Sequence, residues 1–138
     1  MLEGARLVFD ALNSSYEVET FLITESANEK YFDSSVQMQR KSKNSYFISD
    51  TLSQKISETK NSQGVFAVCK MKNENISLKT GQKYIALDNL QDPGNLGTVI
   101  RTAEALGISS VIVGGGCDVF NPKVLRASMG SVLRLDVF

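Results

Sequence analysis

Two side chains of the stretch LDNLQDPGNLGTVIRTAEALG (residues 87–107), the amide of Asn95 and the guanidinium of Arg101, stand six residues apart. An arginine is effectively always protonated, so Arg101 offers a cation and not a base. On a helix six residues span almost two turns, with an offset in angle. Arg101 then either reaches the mouth of a site or lays its stem along the sheet. The alternative is an ion pair with Glu104, three residues on, on an exposed helix face. The chain has no histidine, and Cys69 and Cys117 share no metal-ligand spacing. That removes most zinc sites and every serine–histidine or cysteine–histidine arrangement. Each cysteine borders an apolar segment, and a buried, reduced thiol is expected for both.

The elements that position Asn95 and Arg101 follow from the flanking pattern. YIAL (84–87) reads as a strand, so the loop 88–94 leaves from its carboxyl end, where open α/β sheets place their ligands. Asp92-Pro93-Gly94-Asn95 is a turn sequence in which Asp or Asn can cap the next helix. That helix is expected from Asn95 to Leu106, with Leu96, Val99, Ile100, Ala103 and Leu106 as its apolar face. Gly97 permits close approach of another backbone. SVIV (110–113) predicts a second strand, Gly114–Gly116 a turn, Asn121-Pro122 the start of a helix ending near Gly130, and SVLRLDVF (131–138) a third strand. Strand–helix–strand–helix–strand with short loops implies a Rossmann-like parallel sheet. The triple glycine invites a dinucleotide site, but GGGCDVFNPK lacks the third glycine of G-x-G-x-x-G, and a flexible turn explains it better. Lys123, Arg126 and Arg134 lie in residues 119–135 without an acidic residue between them. Such an excess suits a phosphate backbone or an ordinary helix.

The first 70 residues read as a small α/β unit. A helix is expected over residues 2–12, a strand at VETFLIT (18–24), and a helix over 26–40 interrupted at Asp33-Ser34-Ser35. A short strand at 46–48 and a helix over 51–58 follow; the helix is capped by Ser49 or Asp50, with Leu52 and Ile56 on one face. VFAVCK (65–70) closes the unit as a strand. Arg40, Lys41 and Lys43 form a basic cluster, read as the solvated end of a helix with an RNA contact as the alternative. Residues 71–82, MKNENISLKTGQ, are polar enough to mark a boundary. The expected domains are therefore 1–72 and 83–138, with 73–82 as linker.

Charge limits the partners. Basic and acidic residues balance at 15 each, nine and nine in residues 1–72 and six and six in 73–138. A protein that grips RNA mainly through phosphates shows a basic surplus, so any RNA site must be local. No apolar run approaches the roughly 20 residues that cross a bilayer, and MLEGARLVFDAL lacks the form of a signal peptide. A cytoplasmic protein without membrane partners is expected.

The residues just described carry a resemblance. LDNLQDPGNLGTVIRTAEALG resembles the first signature motif of the SpoU family of RNA methyltransferases, within the SPOUT class. NPKVLRASMGSVLRLDVF resembles the segment that follows it, and residues 1–70, ending in QGVFAV, are similar to the family's substrate-binding domain, itself like a small RNA-binding ribosomal protein. The resemblance implies transfer of a methyl group from S-adenosylmethionine to a ribose 2′-hydroxyl of ribosomal or transfer RNA, without a metal. By position it makes Asn95 and Arg101 the catalytic residues and Arg126 and Ser128 the RNA-binding ones. It also implies a homodimer, and a methyl donor held mainly by a later, knotted segment that follows Phe138 in the family. A truncated chain, inactive alone, is expected on that ground. A ribose hydroxyl is a poor nucleophile, and no histidine is present to activate it. Arg101 is best read as orienting the ribose-phosphate and stabilising alkoxide charge, with proton removal left to an RNA phosphate or to a group outside the sequence. The rival readings are a catalytically inactive RNA-binding protein of the same descent and a nucleotide-binding module built on Gly114–Gly116.

Overall fold

The computed structural model describes residues 1–72 and 78–138. They form two units, Met1–Met71 and Lys72–Phe138. Part of the expected linker, residues 73–77, lies outside the described residues; its later part makes a turn in which the Gln82 amide donates to the Lys79 carbonyl (3.3 Å).

The first unit is a four-stranded mixed sheet in the order β1-β4-β2-β3, with β1 Leu2–Glu3, β2 Val18–Thr24, β3 Asn44–Ile48 and β4 Val65–Cys69. β2 pairs in parallel with β3 and antiparallel with β4. Its helices are α1 Ala5–Asp10, extended by a 3-10 turn over Ala11–Asn13, α2 Glu25–Lys30, α3 Phe32–Lys41 and α4 Asp50–Ile56. Val8, Phe21, Ile23, Met38, Val65 and Phe66 are fully enclosed and make the core. The expected helix over 2–12 begins late because Leu2 and Glu3 pair with Ala67 and Phe66. A helical period does not exclude an edge strand only two residues long. The break expected at Asp33-Ser34-Ser35 falls instead at Tyr31 (φ −120°, ψ 35°), since Ser35 is buried and donates its hydroxyl to Asn28 Oδ1 (2.6 Å). α4 is capped by Ser49, whose hydroxyl accepts from the Leu52 amide (3.2 Å). Leu52 itself is exposed, and Ser53 is the buried residue of that helix.

The basic cluster of residues 40–43 is largely committed within this unit. Lys41 Nζ donates to the carbonyls of Ala11 (2.5 Å), Leu12 (2.9 Å) and Ser14 (2.8 Å), closing the end of the 3-10 turn with all three of its N–H groups. Lys43 Nζ bridges Glu17 (2.5 Å) and Glu19 (2.8 Å). Lys41→Met is therefore expected to cost about 2 kcal/mol, because three half-enclosed carbonyls lose a charged donor. Urea unfolding measures this, and an unchanged midpoint would refute the role.

The second unit carries β5 Tyr84–Asp88, α5 Pro93–Ala105, β6 Ser110–Gly114, α6 Pro122–Ala127 and β7 Asp136–Val137. Its sheet runs β5-β6-β7, all parallel. The third strand is far shorter than SVLRLDVF suggests. Met129 (φ 54°) and Gly130 (φ 86°) turn the chain through the left-handed region, and Ser131–Leu133 then coil as a 3-10 turn against α5. Alternation of apolar and polar residues reads as a strand. Here Val132 and Leu133 are both buried, which consecutive residues of a one-sided strand are not. Along α5, Leu96, Ile100 and Ala103 are fully buried, whereas Leu106 stands past the helix end and is 68% exposed. Among the described residues no helix is long and apolar enough to cross a membrane.

Candidate active site

The candidate residues follow the carboxyl end of β5. Asn89 takes a left-handed conformation (φ 53°) as the chain leaves the sheet, and its amide donates to the Gly114 carbonyl at the end of β6 (2.8 Å). Gln91 Nε2 then donates to Asn89 Oδ1 (2.6 Å). Asp92, not Asn95, caps α5: its Oδ1 accepts from the Asn95 amide (2.7 Å), and Pro93, which has no N–H to lose, opens the helix. With the cap supplied by Asp92, the Asn95 side chain stands exposed in the first turn.

α5 is pressed against α6 at Gly97. A Cβ there would lie 2.5 Å from Ala127 Cβ and 2.9 Å from both the Ser128 amide nitrogen and the Val124 carbonyl oxygen. This contact fixes which face of α5 is free. Leu96, Gly97, Ile100 and Ala103 face inward, and Asn95, Thr98, Arg101 and Thr102 face outward. The two threonines donate back to helix carbonyls, Thr98 to Gly94 (2.9 Å) and Thr102 to Thr98 (2.8 Å), so they present methyl groups rather than free hydroxyls.

Arg101 is exposed and makes no hydrogen bond or ion pair with the described residues. The expected alternative, a pair with Glu104, does not form. Glu104 is held by Arg134, with Nε to Oε1 at 2.6 Å and Nη2 to Oε2 at 3.1 Å. Arg134 also donates to the Met129 carbonyl (3.4 Å). Sequence spacing could not reveal this pair, because its members are 30 residues apart. The Arg134 guanidinium holds the Glu104 carboxyl below its ordinary range, against an opposing push from burial. Its folded pKa being depressed, the pair stabilises the unit above the ordinary glutamate value and loses that contribution as pH falls through the lowered one. Both side chains are about a third exposed, so the effect is about 1 kcal/mol or less. Glu104→Gln should remove this acid-sensitive step from urea midpoints taken between pH 6 and pH 3; an unaltered pH profile would contradict it.

Of the other expected residues, Arg126 is exposed on α6, as is Lys123. Ser128 is fully buried, and its hydroxyl donates to the Leu125 carbonyl (2.9 Å). Cys69 and Cys117 are free and half-buried, and burial pushes the Cys69 thiol up. The triple glycine makes a tight loop-to-loop contact. Cys117 donates its amide to the Leu90 carbonyl (2.9 Å), and a Cβ on Gly116 would sit 2.4 Å from that same oxygen. No helix begins until Pro122, so these glycines do not open the helix that a dinucleotide fold requires.

Along the chain a small mixed α/β unit is followed by a unit with a parallel sheet. Solved structures that the chain matches are methyltransferases. An AdoMet-bound rRNA methyltransferase from Sinorhizobium meliloti superposes with a TM-score of 0.81 at 30% identity, over 98% of this chain and 51% of that one. The SpoU methyltransferase AviRb from Streptomyces viridochromogenes, in complex with AdoMet, gives 0.82 at 26%, over 99% and 53%. Residues 82–138 match the SpoU rRNA Methylase family and residues 1–67 the MRM3-like substrate binding domain. Over residues 82–138 the chain belongs to the SpoU rRNA Methylase family. It is 36% identical to the 23S rRNA (guanosine(2553)-2′-O)-methyltransferase RlmP of Bacillus subtilis over 99% of this chain and 52% of the relative. It is 35% identical to the mitochondrial rRNA methyltransferase 3 of Xenopus tropicalis over 99% and 34%. The chain thus spans about half, or less, of the length of the curated relatives it matches.

AdoMet in those neighbours raises the question of whether the described residues could hold it. At the carboxyl edge they do not fit. The loops after β5 and β6 meet backbone to backbone at Leu90, Gly116 and Cys117, so no crevice separates them at that contact.

Proposed function

We propose that this chain serves an S-adenosylmethionine-dependent methyltransferase that modifies a ribose 2′-hydroxyl of ribosomal or transfer RNA. In this reading the first unit binds RNA and the second presents Asn95 and Arg101 to the reacting nucleotide. The observation that carries it is the outward-facing Arg101, without a partner among the described residues, on the helix that starts at the carboxyl edge of the sheet, its neighbouring carboxylate already taken by Arg134. A planar cation with free donors can engage the phosphate flanking the ribose and stabilise negative charge as the hydroxyl loses its proton. Asn95 orients the ribose by hydrogen bonding. Arg126 contacts the RNA backbone from α6, and the enclosed Ser128 serves the RNA site by fixing the end of that helix. The methyl donor is held by parts of the enzyme that these 138 residues do not supply, and the working form is a homodimer.

The test is methyl transfer from tritiated S-adenosylmethionine to transcribed ribosomal and transfer RNA, run with the 138-residue chain and with the complete gene product that carries it. RNA binding by both and turnover only by the complete product is the expected result, and sedimentation of that product should give a dimer. The second reading is an RNA-binding protein without catalysis. RNA binding with no turnover in either sample would select it.

A further inference from the structure

The first unit holds a cleft of about 420 Å³ between α1, the α2–α3 junction and the loop before β4, lined by Ala5, Arg6, Phe9, Asp10, Tyr31 and Gln63. We propose that this cleft captures a single unstacked base of the RNA substrate, a specificity subsite separate from Asn95 and Arg101; the proposal rests on the RNA-directed reading above.

The lining suits a base. Phe9 and Tyr31 meet edge to face with centroids 5.7 Å apart, and both are half-buried, so each has aromatic surface left uncovered. Bases freed from a helix stack on such rings and on guanidinium planes, and Arg6 is exposed three residues before Phe9. Gln63 is locked in one orientation because its Oε1 accepts from the Ala5 amide (2.8 Å) at the start of α1. Its Nε2 makes no hydrogen bond with the described residues and is left as a fixed donor for a base carbonyl or ring nitrogen. A phosphate site would show converging cations, but here Arg6 is offset by Asp10 within the lining itself. The cation suited to a flanking phosphate is Lys30, whose Nζ lies 5.1 Å from the centre of the Tyr31 ring. Stacking also answers the charge problem: a chain with no net charge can select RNA by its unpaired bases.

The experiment measures binding of the 138-residue chain to a labelled RNA stem–loop and to a blunt RNA duplex of equal length by fluorescence anisotropy. The stem–loop should bind more tightly. Arg6→Ala and Tyr31→Leu should each weaken stem–loop binding about 10-fold and leave duplex binding unchanged. Arg6 is exposed, so its variant stays informative if Tyr31→Leu fails to fold, as circular dichroism would show. Stem–loop affinity unchanged in folded variants overturns the subsite and leaves the RNA-directed reading standing. A wild-type chain that binds neither RNA overturns both.

Discussion

Arg101→Lys is expected to lower methyl transfer by the complete gene product about 100-fold while RNA affinity stays within about two-fold of the parent. Lysine keeps the positive charge, and with it the long-range attraction for phosphate. It loses the planar fork that can hold a phosphate oxygen and a developing alkoxide together. No structural repair is expected to mask the result, because Arg101 is exposed and makes no hydrogen bond or ion pair among the described residues. The effect should appear in kcat and hardly in KM, as it does when an interaction acts only in the transition state. Single-turnover rates and filter binding on the same preparations measure both. Unchanged turnover would remove Arg101 from the catalytic role, and a matched loss of RNA binding would make it a substrate anchor instead.

Gly97→Val should be the most damaging single change in the second unit, destabilising it by about 3 kcal/mol. Three atoms of α6 and its C-terminal cap lie within 2.9 Å of where a Cβ would sit, and two of them are backbone. They cannot rotate away, so α5 and α6 must separate, and the buried contacts of Leu96, Val124 and Leu125 loosen with them. Valine gains a little over glycine as a helix former, too little to offset the clash. Urea unfolding followed by amide exchange along α5 would measure the loss. A midpoint equal to the parent's would mean that the helices have room to adjust.

How much was legible in the sequence depends on how local the cause was. β2 could be read in full, since VETFLIT is a β-branched and aromatic run with polar flanks, and α5 was readable from its Asp-Pro-Gly turn and apolar spacing. The close approach at Gly97 was also foreseeable, although its partner α6 was not. SVLRLDVF was misread because left-handed turns at Met129 and Gly130 decided its path, and no periodicity reports them. The basic cluster at 40–43 shows the same limit: Lys41 closes a turn about 30 residues earlier in the chain, a contact that composition cannot express.

For Asn95 and Arg101, the sequence by itself determined the family motif, the strand that precedes it and the helix that carries both residues. Helix spacing left open whether Arg101 was free or paired with Glu104. Only the tertiary structure decided that, by bringing Arg134 from beyond α6 onto both oxygens of Glu104. The physical reason is geometric. A carboxylate held by two parallel N–H donors has little left to offer a second guanidinium, and which arginine reaches it first is set by the packing of distant segments.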